Sequence, residues 1–172
     1  MFRCAPPLIA ASANASKLSP NSTKEMHIST AEEILNKQSG WKAVAGTTDF
    51  QVITEERVSK EECKLAFDVF VDRILGFVGS YYVKLDGGVD ALVFAGGIGE
   101  KSKELREAVM ARTGCLGFKL DHGKNAGADG EDGVVVDIGG EESGGKRTLV
   151  VRTDEQFEMA RGCLMHPDLA RG

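Results

Sequence analysis

The sequence predicts an α/β fold, and three observations carry that prediction. Residues 90–95 (Asp-Ala-Leu-Val-Phe-Ala) form a short, almost wholly apolar run, the pattern of a strand covered on both faces. A glycine-rich turn follows at residues 96–99, and residues 100–112 have the charge pattern of a helix that ends at Gly114. Residues 134–138 and 148–151 alternate like paired strands on either side of a polar connector.

The longest helix is predicted upstream of the first strand. A capping box, Ser59-x-x-Glu62, opens it, and the helix extends to about Leu85. Its apolar residues cover more than half of the circumference, although charged residues interrupt them. We therefore expect a helix buried deeply in the core or packed against a partner subunit.

The other segments are shorter. A second capping box, Thr30-x-x-Glu33, opens a helix that ends before Gly40. Residues 41–50 have the composition of a loop, and residues 51–58 that of a polar bridge. Residues 121–133 are polar and glycine-rich, and their acidic residues lack the spacing of a calcium loop, so a solvated loop is expected.

Length and composition restrict the classes of function. The 172 residues fit one domain, and a hydrophobic content of 42% suffices for a core. A net charge of −5 argues against a nucleic-acid or anionic-membrane partner, and no run approaches the ~18 apolar residues of a membrane span. The four cysteines are scattered without a C-x-x-C pair, so reduced thiols in a cytoplasmic protein are expected rather than zinc ligands.

The glycine-rich turn after the first strand is a candidate ligand site. Glycine lets backbone approach a ligand closely, and open α/β sheets bind ligands at the carboxyl ends of their strands. A phosphate-binding P-loop is excluded because Glu100 precedes Lys101-Ser102, and a dinucleotide fingerprint is excluded because Ser102 occupies its third glycine position. From the glycines alone, a tight turn without a ligand explains the segment equally well.

The full string around the turn is more specific than its glycines. Residues 94–100 (Phe-Ala-Gly-Gly-Ile-Gly-Glu) closely resemble the adenosine-contacting loop of acetate kinases, within the acetate and sugar kinase, Hsp70 and actin superfamily. Residues 32–40 resemble an upstream helix and Ser-Gly turn of that family, and residues 46–50 resemble its second nucleotide loop. Residues 152–155 (Arg-Thr-Asp-Glu) resemble the segment that supplies an acidic magnesium ligand.

The resemblance implies a ribonuclease H-like (actin-like ATPase) domain. Complete members are more than twice as long, so the chain is expected to be an incomplete C-terminal lobe of a fungal or other eukaryotic member. Residues 30–164 would form this lobe fragment. Residues 1–29 do not match and are expected to be a disordered N-terminal segment, although their composition also fits a transit peptide or the mistranslated start of a truncated gene model; residues 165–172 are expected to be a tail.

The activity implied by the resemblance is acetate kinase, which transfers a phosphoryl group from ATP to acetate with Mg²⁺ and yields acetyl phosphate and ADP. The nucleotide-binding residues carried over are Asp49, Phe50, Gln51, Gly96, Gly97, Ile98, Gly99 and Glu100. The expected metal ligand is Glu155, in a final helix that Thr153-x-x-Gln156 caps. Glu155 could instead be a carboxylate that complements the helix dipole.

No catalytic residue can be assigned. Arg106 and Arg112 are expected on a helix surface, and Arg152 beside a strand end. The resemblance implies that acetate binds through a missing upstream lobe and that the full-length parent is a homodimer. Gln51 stands where bacterial members usually have arginine, and Lys101 where they have asparagine, which leaves the phosphate donor open between ATP and pyrophosphate. The alternatives are a non-catalytic nucleotide-binding or dimerising remnant, a propionate or butyrate kinase, and an interaction domain without a ligand.

Overall fold

The computed structural model describes residues 18, 20–22, 28–141 and 144–165. The predicted N-terminal segment 1–29 and tail 165–172 therefore lie almost wholly outside the described residues. The chain divides into two compact units, one up to Asp72 and one from Arg73 onward, and each is described by itself.

The first unit is helical. It contains α1 (Thr30–Lys37), α2 (Trp41–Ala45), α3 (Phe50–Glu56) and the beginning of α4 (Glu61–Lys84). Its core is aromatic: the Phe50 ring lies 5.2 Å from that of Trp41, 5.8 Å from that of Phe67 and 5.2 Å from that of Phe70. Burial of these rings holds the short helices together, since isolated helices of this length are unstable in water.

Residues 41–58 correct the sequence prediction, because α2 and α3 occupy what was expected to be a loop and a polar bridge. Two predicted caps are also wrong. The Ser29 side chain, not Thr30, caps α1 by accepting from the Glu32 amide. Ser59 does not cap α4, since its hydroxyl donates to the Glu56 carbonyl.

Helix α4 has the predicted length but not the predicted depth of burial. Its buried residues are Cys63, Ala66, Phe67 and Val71, a single stripe at helical spacing. Five apolar residues outside the stripe stay more than half exposed, namely Leu65, Val69, Phe77, Tyr81 and Val83. The wide apolar surface of α4 therefore led to an overestimate of its burial, because only one face of the helix meets other described residues.

The second unit contains a three-stranded sheet with the order β1–β3–β2. Strand β1 (Ala91–Ala95) pairs in parallel with β3 (Arg147–Val151), and β2 (Val135–Asp137) pairs antiparallel with β3, as the alternating pattern predicted. Its helices are α5 (Gly96–Lys101), α6 (Lys103–Thr113), α7 (His122–Gly127) and α8 (Glu155–Met165), with 3₁₀ turns at Gly114–Leu116 and Ala128–Gly130.

One face of this sheet is covered. Phe94, Val136 and Val150 are buried side by side in register, whereas Val93 on the opposite face of β1 is 50% exposed. The prediction of a strand covered on both faces is therefore wrong for the described residues. The core of this unit also contains Leu105, Val109, Met110, Phe118, Ala128 and Ile138.

Other local predictions change in the second unit. Residues 122–130 form α7 and a 3₁₀ turn rather than a solvated loop. Helix α6 gives way at Gly114 to a 3₁₀ turn, and the left-handed residue that ends the turn is Gly117, with φ of 86°. The C-terminal end of α4 is hydrogen-bonded to this 3₁₀ turn through Lys146. The Lys146 Nζ donates to the Tyr82 hydroxyl and to the Leu116 carbonyl, each at 2.8 Å.

Candidate functional site

The glycine segment begins a helix directly after β1. Helix α5 starts at Gly96, whereas the sequence indicated a turn with helix from Glu100. Gly96 has φ of 73°, a conformation that side chains strain, so glycine is required there for the chain to leave the strand. Gly97 has ordinary backbone geometry, and a Cβ atom built on it would meet no atom within 4 Å. The space beside Gly97 is therefore open.

The third glycine lies beside the end of β1. A Cβ atom on Gly99 would lie 3.5 Å from the Phe94 carbonyl carbon, at van der Waals contact with the end of β1. Ile98 is partly buried between these glycines. Gly96 thus turns the chain, Gly97 leaves space, and Gly99 lies beside the end of β1.

Glu100 joins two segments that follow different strands. Its Oε1 accepts hydrogen bonds from the Gly96 amide at 2.9 Å, the Thr153 amide at 3.0 Å and the Thr153 hydroxyl at 2.9 Å. Burial opposes ionisation of this carboxyl, but the hydrogen bonds from Thr153 and Gly96 outweigh it and hold its pKa below the usual range. A carboxylate therefore ties the start of α5 to the residues before α8.

Arg106 corrects the sequence analysis most clearly, because its side chain is fully buried rather than on a helix surface. Its Nε donates to Asn125 Oδ1 at 2.6 Å and its Nη2 to the Asn125 carbonyl at 3.1 Å. Nη1 donates to the Gly99 carbonyl at 3.0 Å and to the Glu100 carbonyl. The Asp129 carboxylate lies 3.8 Å from Nη2. Burial lowers the pKa of this guanidinium, and Asp129 opposes that shift.

The sequence did contain a signal for this burial. Arg106 precedes Val109, Met110 and Thr113 by three, four and seven residues, which is the spacing of one helix face. All three of those residues are buried. A charged residue on that stripe must be paired internally, and Asn125 in α7 supplies the partner that sequence alone could not identify.

The other predicted nucleotide residues lie in the first unit. Asp49 caps α3 by accepting from the Gln51 amide at 2.9 Å. Phe50 is buried in the aromatic core, and the Gln51 side chain donates to Glu55 Oε1 at 2.8 Å. Structural roles thus account for all three positions, and their contact with a nucleotide stays a prediction.

Glu155 is the first residue of α8 and is exposed. The cap of this helix is Asp154, whose carboxylate accepts from the Phe157 amide at 2.8 Å, and the predicted cap Thr153 is instead held by Glu100. Among the described ranges, no group of three or more histidine, cysteine, aspartate or glutamate side chains could hold a metal ion. A metal at Glu155 would therefore need further oxygen ligands, such as those of a bound phosphate.

The glycine segment and the start of α8 lie at the same edge of the sheet. Strands β1 and β3 are parallel neighbours, so the glycine segment and residues 152–155 both leave the sheet at its carboxyl edge. Ligands of open α/β sheets bind at that edge. The fold is a lobe of mixed α/β architecture, in which a glycine segment with open space at Gly97 and an acidic helix start lie on adjacent connections.

The comparisons with known proteins agree with this description. The pattern of the Acetokinase family matches residues 19–161. A probable acetate kinase from Emericella nidulans is 61% identical over 150 residues, which is 87% of this chain and 36% of that protein. The crystal structure of acetate kinase from Entamoeba histolytica superposes with a TM-score of 0.70 at 26% identity, covering 80% of this chain and 36% of that one. A propionate kinase from Francisella tularensis gives a TM-score of 0.64 at 31% identity, covering 75% and 32%.

The fold is therefore that of the actin-like ATPases, as the resemblance implied. The chain belongs to the acetokinase family. It spans about a third of the length of the relatives that it matches.

Among the residues that the structure describes, no helix combines the length and apolarity needed to cross a membrane.

Proposed function

We propose that this chain forms the adenine-nucleotide and magnesium side of an acetate kinase. The parent reaction is reversible phosphoryl transfer from ATP to acetate, which gives acetyl phosphate and ADP. The observation that supports this best is the open space at Gly97, on a segment tied through Glu100 to the connection that carries Glu155. Nucleotide contacts are assigned to Asp49, Phe50, Gln51, Gly96, Gly97, Ile98, Gly99 and Glu100.

The donor chemistry at Glu155 fits Mg²⁺. This ion binds through one or two carboxylates together with waters and substrate phosphates rather than in an all-protein cage. A single exposed carboxylate beside a nucleotide loop meets that requirement, and Glu155 would hold the ion directly or through water. When bound, Mg²⁺ would neutralise charge on the transferring phosphoryl group.

Transfer from ATP to acetate brings two anions together, so cationic groups must surround the phosphoryl group. Neither arginine beside the site is free for that task. Arg106 is buried and paired, and the Arg152 guanidinium donates to the Asp129 carbonyl at 3.1 Å. We propose that the acetate-binding cations belong to the part of the family length that this chain does not span, and that the parent is a cytoplasmic homodimer.

Gly97→Val is expected to abolish adenine-nucleotide binding while leaving helix content unchanged. Gly97 has no positive φ, and a Cβ atom built on it would meet nothing within 4 Å, so a valine side chain would fill the proposed ligand space without straining the backbone. Titration calorimetry with ATP, beside far-ultraviolet circular dichroism, measures both quantities. Gly114→Val is the matched control, since a Cβ atom there also meets nothing within 4 Å. Equal ATP affinity in the Gly97 variant and the unmutated chain would refute the assignment.

Glu155→Gln should reduce the enhancement of nucleotide affinity by Mg²⁺ about tenfold or more, while metal-free affinity changes little. The substitution keeps the shape of the side chain and removes its charge. Glu158→Gln is the control, because Glu158 is also in the first turn of α8 but is paired with Arg161 at 2.6 Å. If Mg²⁺ strengthens binding equally in all three proteins, Glu155 is only a carboxylate at a helix start.

Three alternatives are separated by measurement. The similarity to a propionate kinase keeps a longer acyl acceptor open, which competition between acetate and propionate in the full-length parent would resolve. A family remnant that binds nucleotide without catalysis would pass the calorimetric test and fail a turnover assay with its missing portion supplied. An interaction domain without a ligand would fail the calorimetric test itself.

A further inference from the structure

A single carboxylate oxygen connects the two halves of the proposed site. Glu100 Oε1 accepts from Gly96 at the start of the glycine segment and twice from Thr153, two residues before Glu155. The two segments follow neighbouring parallel strands, whose last paired residues are Ala95 and Val151. The Glu100 side chain therefore joins the two segments beyond the ends of the strands.

We propose that Glu100, besides the nucleotide contact assigned to it above, has a positioning role: its Oε1 holds the nucleotide segment and the start of α8 in one arrangement so that nucleotide and Mg²⁺ bind together. This inference rests on the proposed function of the same site. It gives Thr153 a role that the resemblance did not assign, as the donor that connects the metal side to Glu100.

The strength of the connection follows from its chemistry. Hydrogen bonds to an ionised acceptor are roughly twice as strong as neutral ones, and three donors converge on one atom here. The Glu100 backbone is fixed independently, since the buried Arg106 guanidinium binds its carbonyl and that of Gly99. Because the Glu100 backbone is held in place, the hydrogen bonds of its side chain fix the position of Thr153 relative to Gly96.

The consequence is a coupling between the two ligands. Mg²⁺ would strengthen nucleotide binding only while Thr153 keeps α8 placed beside the glycine segment. Loss of the Thr153 hydroxyl should therefore weaken the magnesium effect, although that hydroxyl is neither a phosphate contact nor a metal ligand in this proposal. A merely structural role would instead lower stability and leave the magnesium effect unchanged.

The test uses the full chain and four variants. Glu100→Gln removes the charge, Thr153→Val removes the hydroxyl at constant shape, and Thr153→Ser restores it. Glu104→Gln removes an equal charge from the beginning of α6, where the carboxylate only approaches the Ser102 hydroxyl at 3.5 Å. Calorimetry gives ADP affinity with and without Mg²⁺, and hydrogen exchange of the ligand-free chain reports on the Gly96 and Thr153 amides.

We expect Glu100→Gln and Thr153→Val each to reduce the magnesium enhancement about fivefold, while Thr153→Ser and Glu104→Gln retain it. Exchange at the Gly96 and Thr153 amides should accelerate about fivefold in Glu100→Gln. An unchanged magnesium enhancement in Glu100→Gln and Thr153→Val would overturn the positioning role, even if exchange accelerates. So would failure of serine to rescue. If the unmutated chain binds no nucleotide, the proposed function itself is overturned and this role with it.

Discussion

Arg106→Ala is expected to lower the free energy of unfolding of the second unit by about 3–5 kcal/mol, because it removes one partner of a buried charged network. The side chain is fully buried, and its loss leaves the Gly99, Glu100 and Asn125 carbonyls without their donor. That is a large fraction of the roughly 5–15 kcal/mol that stabilises a typical domain, so the urea midpoint of this unit should fall markedly.

Urea unfolding followed separately for each unit measures the effect. Trp41 is the only tryptophan and lies in the first unit, whereas both tyrosines, Tyr81 and Tyr82, lie in the second. Tyrosine circular dichroism in the near ultraviolet therefore reports on the affected unit. Arg112→Ala, on the exposed last turn of α6, is the control and should shift stability by less than about 0.5 kcal/mol. Equal urea midpoints for the Arg106 and Arg112 variants would contradict the prediction.

The chain by itself is expected to show negligible acetate kinase turnover, at least about a thousandfold below the 1–10³ per second common among enzymes. Phosphoryl transfer between two anions needs positioned cations, and both arginines beside the proposed nucleotide segment are engaged within the protein. Acetyl phosphate formation from ATP, Mg²⁺ and acetate measures it, with the Emericella nidulans relative assayed in parallel as a positive control.

A monodisperse monomer that makes acetyl phosphate at an ordinary enzymatic rate would contradict this. The transfer site would then have to be built from residues of this chain, and Arg152 would be the first to test. It is exposed, and its bonds to the Ala128 and Asp129 carbonyls, at 3.5 and 3.1 Å, are replaceable by water. Arg106 is not a candidate, because its guanidinium is fully buried and paired with Asn125 and Gly99.

Sequence reasoning succeeded where local pattern and local structure coincide. The three strands, the long helix and the strand–glycine–helix order were all predicted, since alternation and periodicity arise within each segment. It failed at the short helices α2, α3 and α7, which have too few residues to be stable alone. Their stability comes from contacts such as the Trp41 ring against Phe70, at 5.0 Å, and the burial of Asn125.

In the candidate site, too, some features could be predicted from the sequence and others depended on the tertiary structure. The residues of the glycine segment are consecutive, so the sequence by itself determined the family and suggested the residues that we propose contact a nucleotide. Only the tertiary structure decided that Gly96 needs the left-handed conformation while Gly97 faces open space. It also decided that Arg106 is buried and that Glu100 reaches Thr153, 53 residues away. The physical reason is that a hydrogen bond between distant segments depends on how strands pair, and strand pairing is a property of the whole sheet.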